Sequence, residues 1–243
     1  MTALVSSEVL KLRTIRLFWI VIAVTIGLSG TIGYAAAKIS ADRGDPLTLA
    51  SVAVAPAQAN WFLGIVLAVV ASAGEFQHRT IRTTLLASPR RSRVLVAKSL
   101  VSSASGALLV ALGALTAVAA AWVANAALGA SSAAGGSASW SHVLGTVAVG
   151  AVWSTMAVAI GVLTRSIAIA IAAVLLWRFV GEGVLPVVGG DEIGLWMPTS
   201  LADSVIGIGS SSVASWAAGL ALAAYAVAVC GFAALLFLKR DPT

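Results

Sequence analysis

Charge is scarce along this chain. Asp, Glu, Lys and Arg make up 10% of its 243 residues, while 60% are hydrophobic. A water-soluble domain uses about 25% charged residues, so this composition excludes an ordinary soluble fold and points to the bilayer as solvent. Cysteine occurs once, at Cys230. An intrachain disulfide is therefore excluded, and its place in an apolar run suits a small buried side chain. The two histidines, His78 and His142, make no ligand spacing. No G-x-x-x-x-G-K-[ST] occurs, so the chain has no Walker A loop with which to hold ATP. No H-E-x-x-H, nucleophile elbow or paired-carboxylate array falls in the apolar runs, which argues against an enzyme. A carrier driven by ions normally holds acids or histidines within the membrane. No charge falls between Leu17 and Ala37, or through the body of the third, fourth and sixth apolar runs. Any engine belongs outside the membrane.

What the chain does have is apolar length. It leaves room for about six spans of roughly 20 residues, and the sequence places them at 17–37, 55–74, 94–121, 142–163, 167–180 and 213–238. The whole reads as one all-α integral membrane domain, 1–243. Residues 1–16 precede the first span, and Val9, Leu12 and Ile15 recur there at helical spacing with Glu8, Lys11 and Arg16 elsewhere around the wheel. This predicts an amphipathic helix lying in the interface. Basic residues before an apolar run also suggest a signal peptide, but the run from Leu17 to Ala37 is long for one. Gly27, Gly30 and Gly33 predict a smooth face for close helix approach. Trp61 is expected at the outer interface, and Trp122 and Trp140 flank a charge-free outer connection.

Charge distribution orients the spans. Twelve cations fall on one face (11, 13, 16, 79, 82, 90, 91, 93, 98, 165, 239 and 240), and only Lys38 and Arg43 fall on the other, with Arg178 near the outer end of the fifth span. By the positive-inside rule both termini are cytoplasmic. The net charge of +6 is accounted for by this anchoring, with no need for nucleic acid; membrane lipid is the implied anionic partner.

The stretch 75–93 is the one long, strongly basic interruption. It holds Arg79, Arg82, Arg90, Arg91 and Arg93, with Ile81 and Leu85 four apart on one helical face, Leu86 beside them, and Pro89 as a stop. Its order is Glu75, Thr80, Leu85 or Leu86, Pro89, Arg93 and Lys98. This resembles the first cytoplasmic loop of the permease subunits of ABC-2 type ABC transporters, a pattern like E-x-x-x-x-T-x-x-x-L-x-x-x-P-x-x-R-x-x-x-x-K. The usual Gly before the Thr is replaced by Arg79. The resemblance implies that 1–16 is an elbow helix and that 75–93 is a coupling helix. That helix would dock through Glu75, Arg79, Thr80, Ile81, Arg82, Leu85, Leu86, Pro89, Arg90, Arg91 and Arg93. It further implies an ABC ATPase partner in two copies that carries the ATP and Mg, a second permease copy or sister permease, no cofactor on this chain, and export from the cell membrane.

The segment 182–203 mixes Gly and Pro breaks with acids and short apolar stretches. It predicts a re-entrant helical pair on the outer side, since irregular backbone at membrane depth needs a protein or water cover. Arg178 and Glu182 are four apart and can pair on one helix face. Trp153 and Trp177 lie deeper than the belt tryptophans and, with that pair, are candidates for a substrate path. Nearly charge-free spans favour a hydrophobic or amphipathic cargo over a sugar polymer. A stand-alone scaffold or channel whose basic loop binds anionic lipid is the competing reading; the presence or absence of an associated ATPase separates the two.

Overall fold

The computed structural model describes residues 2–44, 47–81, 84, 86, 90–128, 132–133, 137–208 and 213–239. Eleven α-helices can be numbered among them. The chain opens with α1 (Thr2–Thr14) and α2 (Arg16–Arg43), then α3 (Leu49–Val54), α4 (Ala57–Gln77) and α5 (Arg91–Leu128). It continues with α6 (Ser137–Thr164), α7 (Ile167–Leu176), α8 (Glu182–Gly189), α9 (Asp191–Leu195), α10 (Pro198–Ile206) and α11 (Ser215–Lys239). Six helical stretches among the described residues are long and apolar enough to cross a membrane: Arg16–Arg43, Ala50–Gln77, Arg91–Leu128, Trp140–Thr164, Ile167–Gly189 and Ser215–Lys239. The chain is a multi-pass membrane protein.

The long α5 is the central post, packed by α2, α4 and α6, and α6 in turn carries α4, α10 and α11. With 38 residues at 1.5 Å per residue, α5 is roughly 57 Å long, about twice the hydrocarbon thickness. It is therefore longer than the apolar layer is thick.

Small residues set the closest contact. The buried stripe of α2 is Val21, Thr25, Ser29, Gly33, Ala37 and Ser40, and a Cβ on Gly33 would collide with the Ala117 backbone of α5. Gly27, expected on this face, has nothing near it, and Gly30 only touches Thr116. Steps of three residues drift about 60° around a helix, whereas steps of four drift only about 40°. The stripe therefore follows 25, 29, 33 and 37 and leaves the three-residue glycine series behind. Deeper in the same seam, Asn60 Nδ2 donates to Ser29 Oγ at 3.1 Å.

Other expectations shift in the same way. In α1 the buried positions are Glu8 and Leu12, while Val9 is 41% exposed; a carboxylate sits in the packed face where the apolar periodicity had placed valine. Trp61 is 5% exposed and donates from Nε1 to Thr146 O at 3.3 Å, so it is a core residue of the bundle and not an interfacial anchor. Trp122 and Trp140 are largely exposed. The first span runs to Arg43 and stops at Gly44, whose φ of 72° closes the helix in the left-handed conformation.

The fifth span also outlasts its predicted end. After α7 a single π-helical turn, Trp177–Gly181, leads directly into α8, and the helical path continues through Pro186 to Gly189. The break comes at Gly190, with φ 91°, a conformation that side-chain-bearing residues avoid. The segment that returns toward α11 is thus α9 and α10. Of these, α10 is buried through Leu201, Ala202 and Ile206 and is capped by Gly207 at φ 72°.

The two ends of the bundle differ. At one end Arg91 Nη1 donates to Phe237 O at 3.4 Å, the Phe76 and Phe237 rings meet edge-on at 6.1 Å, and Arg165 lies 5.5 Å over the Phe76 ring. At the other end a two-residue parallel pair, Leu47–Thr48 with Ser132–Ala133, ties the first and third connections, and Gln58 Nε2 donates to Asp203 Oδ1 at 3.3 Å.

Candidate functional site: a basic face and an aromatic cavity

The basic face starts at the end of α4. Glu75 is 9% exposed, and its backbone carbonyl accepts from Thr80 Oγ1 at 3.4 Å. The chain turns at Arg79, whose φ of 56° is left-handed. Glycine takes that conformation freely, whereas an L side chain costs about 1–2 kcal/mol. This is the position where the resembled loop pattern carries glycine. Helical backbone resumes at Ile81, Thr84 and Leu86, with Thr84 N donating to Thr80 O at 3.4 Å. Ile81 is 4% exposed and packs into the chain itself, whereas Leu86 is 85% exposed. Ile81 is therefore turned into the chain, and Leu86 is turned outward. Arg82, Leu85 and Pro89 lie outside the described residues. Arg79, Thr80, Arg90 and Arg93 are exposed, and Arg91 is half-buried.

Beneath this segment lies a cluster that motif reading did not assemble. Lys11 Nζ reaches Glu8 Oε1 at 2.7 Å, Glu75 Oε1 at 2.9 Å and Thr84 Oγ1 at 3.1 Å. Lys98 Nζ reaches Glu8 Oε2 at 2.7 Å, Glu75 Oε1 at 3.0 Å and Ala71 O at 3.3 Å. Each ammonium has three protons and three acceptors, so both are fully used. Two carboxylates and two ammoniums sum to zero, which is how Glu8, Glu75 and Lys98 tolerate burial, while the Lys11 side chain stays 40% exposed. Burial alone would raise the Glu8 pKa, but the charge of Lys98 and the hydrogen bonds from Lys11 and Lys98 outweigh it, and the net shift is downward. Burial alone would lower that of Lys11, and the bonds to Glu8 and Glu75 reverse it, so the net shift is upward. Sequence reading placed Glu75 among the docking residues of the basic segment. It did not pick out Glu8, or read Lys98 as a buried group rather than an inner-face cation. The available signal was a lone lysine inside an apolar helix, which needs a counter-charge.

The second feature is a cavity of about 740 Å³ bounded by α4, α6, α7, α10 and α11. Trp153, Trp177, Arg178 and Glu182, four residues spread over three elements, all line it. Glu182 Oε1 accepts from Trp177 Nε1 and from Thr199 N, both at 3.2 Å, and Oε2 faces Arg178 Nη1 at 3.7 Å. Glu182 is thus held by the turn that precedes it and by the N-terminus of α10. Asp203 of α10 stands behind Gln58; its pKa is raised by burial, against the opposing pull of the Gln58 hydrogen bond and the Arg178 charge. Trp153 Nε1 is buried and has no hydrogen-bond partner among the described residues. Gln58 and Asp203 escaped sequence reading because they are far apart in the chain and follow no helical spacing.

No curated protein sequence and no solved structure matches this chain. The sequence model of the family described as ABC-2 family transporter protein matches residues 4–181, a stretch that runs from α1 through the basic segment to the turn before Glu182. The chain belongs to that family of transporter membrane subunits, whose members work with an ABC ATPase.

Proposed function

We propose that this protein is the permease subunit of an ATP-driven exporter, with the basic end of the bundle in the cytoplasm and residues 75–93 serving as the coupling helix. The observation that carries this reading is the exposed segment with Leu86 outward and Arg79, Arg90 and Arg93 around it, mounted on the Glu8–Lys11–Glu75–Lys98 cluster, which is buried except at Lys11. A helix that transmits force needs a contact to receive it and an anchor to pass it on. Leu86 is the receiving contact, since a desolvated apolar anchor carries most interface energy, while the arginines orient and speed association. Lys11 joins the segment at Thr84 to α1 and to Glu75 of α4, so displacement of the segment moves the elbow helix and the second span together. Closing and opening of two ATPase subunits would then switch access between two permease copies, or between this chain and a sister permease. ATP and Mg belong to the ATPase. The cargo is hydrophobic or amphipathic and uses the aromatic cavity, with α9 and α10 as the outer re-entrant pair.

Co-purification with the ATPase tests this. Leu86→Asp should insert and melt like the parent but lose the ATPase, and Arg90→Ala with Arg93→Ala should weaken the complex in a salt-sensitive way. An ATPase that remains bound to Leu86→Asp would remove the segment from the interface and favour the lipid-binding scaffold.

A further inference from the structure

The charges beside the cavity are unevenly placed. Glu182 lines it with a side chain only 4% exposed, while the Arg178 side chain is 49% exposed. Asp203 lies behind Gln58, which also lines the cavity. Water and salt screen an exposed guanidinium far more than a buried carboxylate. Two carboxylates against one screened cation leave the edge of the cavity negative. The walls carry the same sign of preference. Trp61, Phe62, Trp153, Trp177, Phe179 and Tyr225 surround the space, and aromatic faces attract cations, most strongly where water is excluded. A volume of about 740 Å³ lies within the range that takes a drug-sized molecule.

We propose that this cavity binds a lipophilic monocation, its apolar body among the aromatic rings and its charge beside Glu182, with Asp203 adding its field from behind Gln58. The proposal narrows the cargo of the exporter and rests on that reading for its purpose, but binding itself requires no ATPase.

The test uses two ions of one shape and opposite charge, tetraphenylphosphonium and tetraphenylborate. Each is titrated against the purified full-length protein in non-ionic detergent and followed by tryptophan fluorescence against an empty-micelle blank. Saturable binding is expected for the cation, roughly tenfold tighter than for the anion, the order of effect of one nearby opposite charge in a partly screened site. Asp203→Asn should weaken cation binding by a similar factor. Arg178→Gln changes an exposed side chain and should tighten it several-fold, which guards against a folding defect as the cause of any loss. Equal affinity for the two ions, tighter binding of the anion, or cation binding unmoved by Arg178→Gln would overturn the proposal. Those results would leave the coupling segment untouched, and a failure of ATPase binding by the coupling variants would leave the cation preference untouched.

Discussion

At the basic end of the bundle, Glu8, Lys11, Glu75 and Lys98 meet at 2.7 to 3.0 Å, and every ammonium proton has an acceptor. At the opposite end the Arg178–Glu182 contact is 3.7 Å, the guanidinium is half exposed, and Asp203 relies on an amide donor. Both groups interrupt an otherwise apolar protein. The first is neutral and both its ammoniums are saturated, with one buried acceptor, Glu75 Oε2, left without a donor among the described residues. The second is open along one edge, beside an aromatic space. A closed cluster fixes helices relative to one another, because separating them exposes unpaired charge. An open one keeps valence for something that arrives.

The sharpest way to break this contrast is to remove one member of the closed cluster. Lys98→Met leaves Glu8 and Glu75 sharing the half-exposed Lys11 as their one cation and should cost about 3–5 kcal/mol, seen as a large drop in melting temperature in detergent. Adding Glu8→Gln should recover part of the loss, because it removes one of the stranded charges. A Lys98→Met protein that melts like the parent would mean that the cluster holds nothing together.

Acid should act on the two ends with opposite sign. The Glu8 pKa is lowered from 4.5, so its contribution is present above that value and is lost as pH falls through the lower folded pKa. The Lys11 pKa is raised from 10.5, so its contribution is complete below that value and is lost only as pH rises through the higher folded pKa. Asp203 is raised from 3.8 by burial. The folded state there prefers the proton, so local stability falls as pH climbs from that value through the folded pKa. Hydrogen exchange, corrected for intrinsic rate and compared between about pH 7 and about pH 3, should show α1 loosening while α10 tightens. Parallel change in the two helices would remove the electrostatic distinction between them.

The smallest effect is expected at Arg178. Its contact with Glu182 is long and half in solvent, so Arg178→Gln should change stability by less than about 1 kcal/mol while altering cation binding. A large loss of stability would place Arg178 among the structural charges and close the open cluster.

The parts of this molecule written in local patterns were legible in the sequence. Six apolar runs gave six spans because transfer to lipid depends on length and composition. The i, i+4 spacing of Arg178 and Glu182 gave a pair that the fold does make, and depth within the runs brought Trp153 and Trp177 to one cavity. What was not legible depends on which face of a helix meets which neighbour. Glu8 on a basic amphipathic helix reads as solvated until Lys98, 90 residues away, is seen beside it. Ile81 and Leu86 both read as possible contacts, and only the packed turn at Arg79 decides that one goes in and the other out. Glu182 and Pro186 read as a break, but the π turn at Trp177–Gly181 carries the helix past them to Gly190. Trp61 reads as an anchor because its hydrogen bond to Thr146 crosses to another helix.

Paired double-mutant cycles measure the difference between the two clusters most directly. One cycle combines Lys98→Met with Glu8→Gln, the other Arg178→Gln with Glu182→Gln, both followed by unfolding of the full-length protein in the same detergent. The closed cluster should give a coupling energy toward the upper end of the roughly 0.5–3 kcal/mol found for contacting charges, and the open pair a value within the roughly 0.2–1 kcal/mol of exposed pairs. Equal couplings, or a larger one at Arg178 and Glu182, would contradict the account.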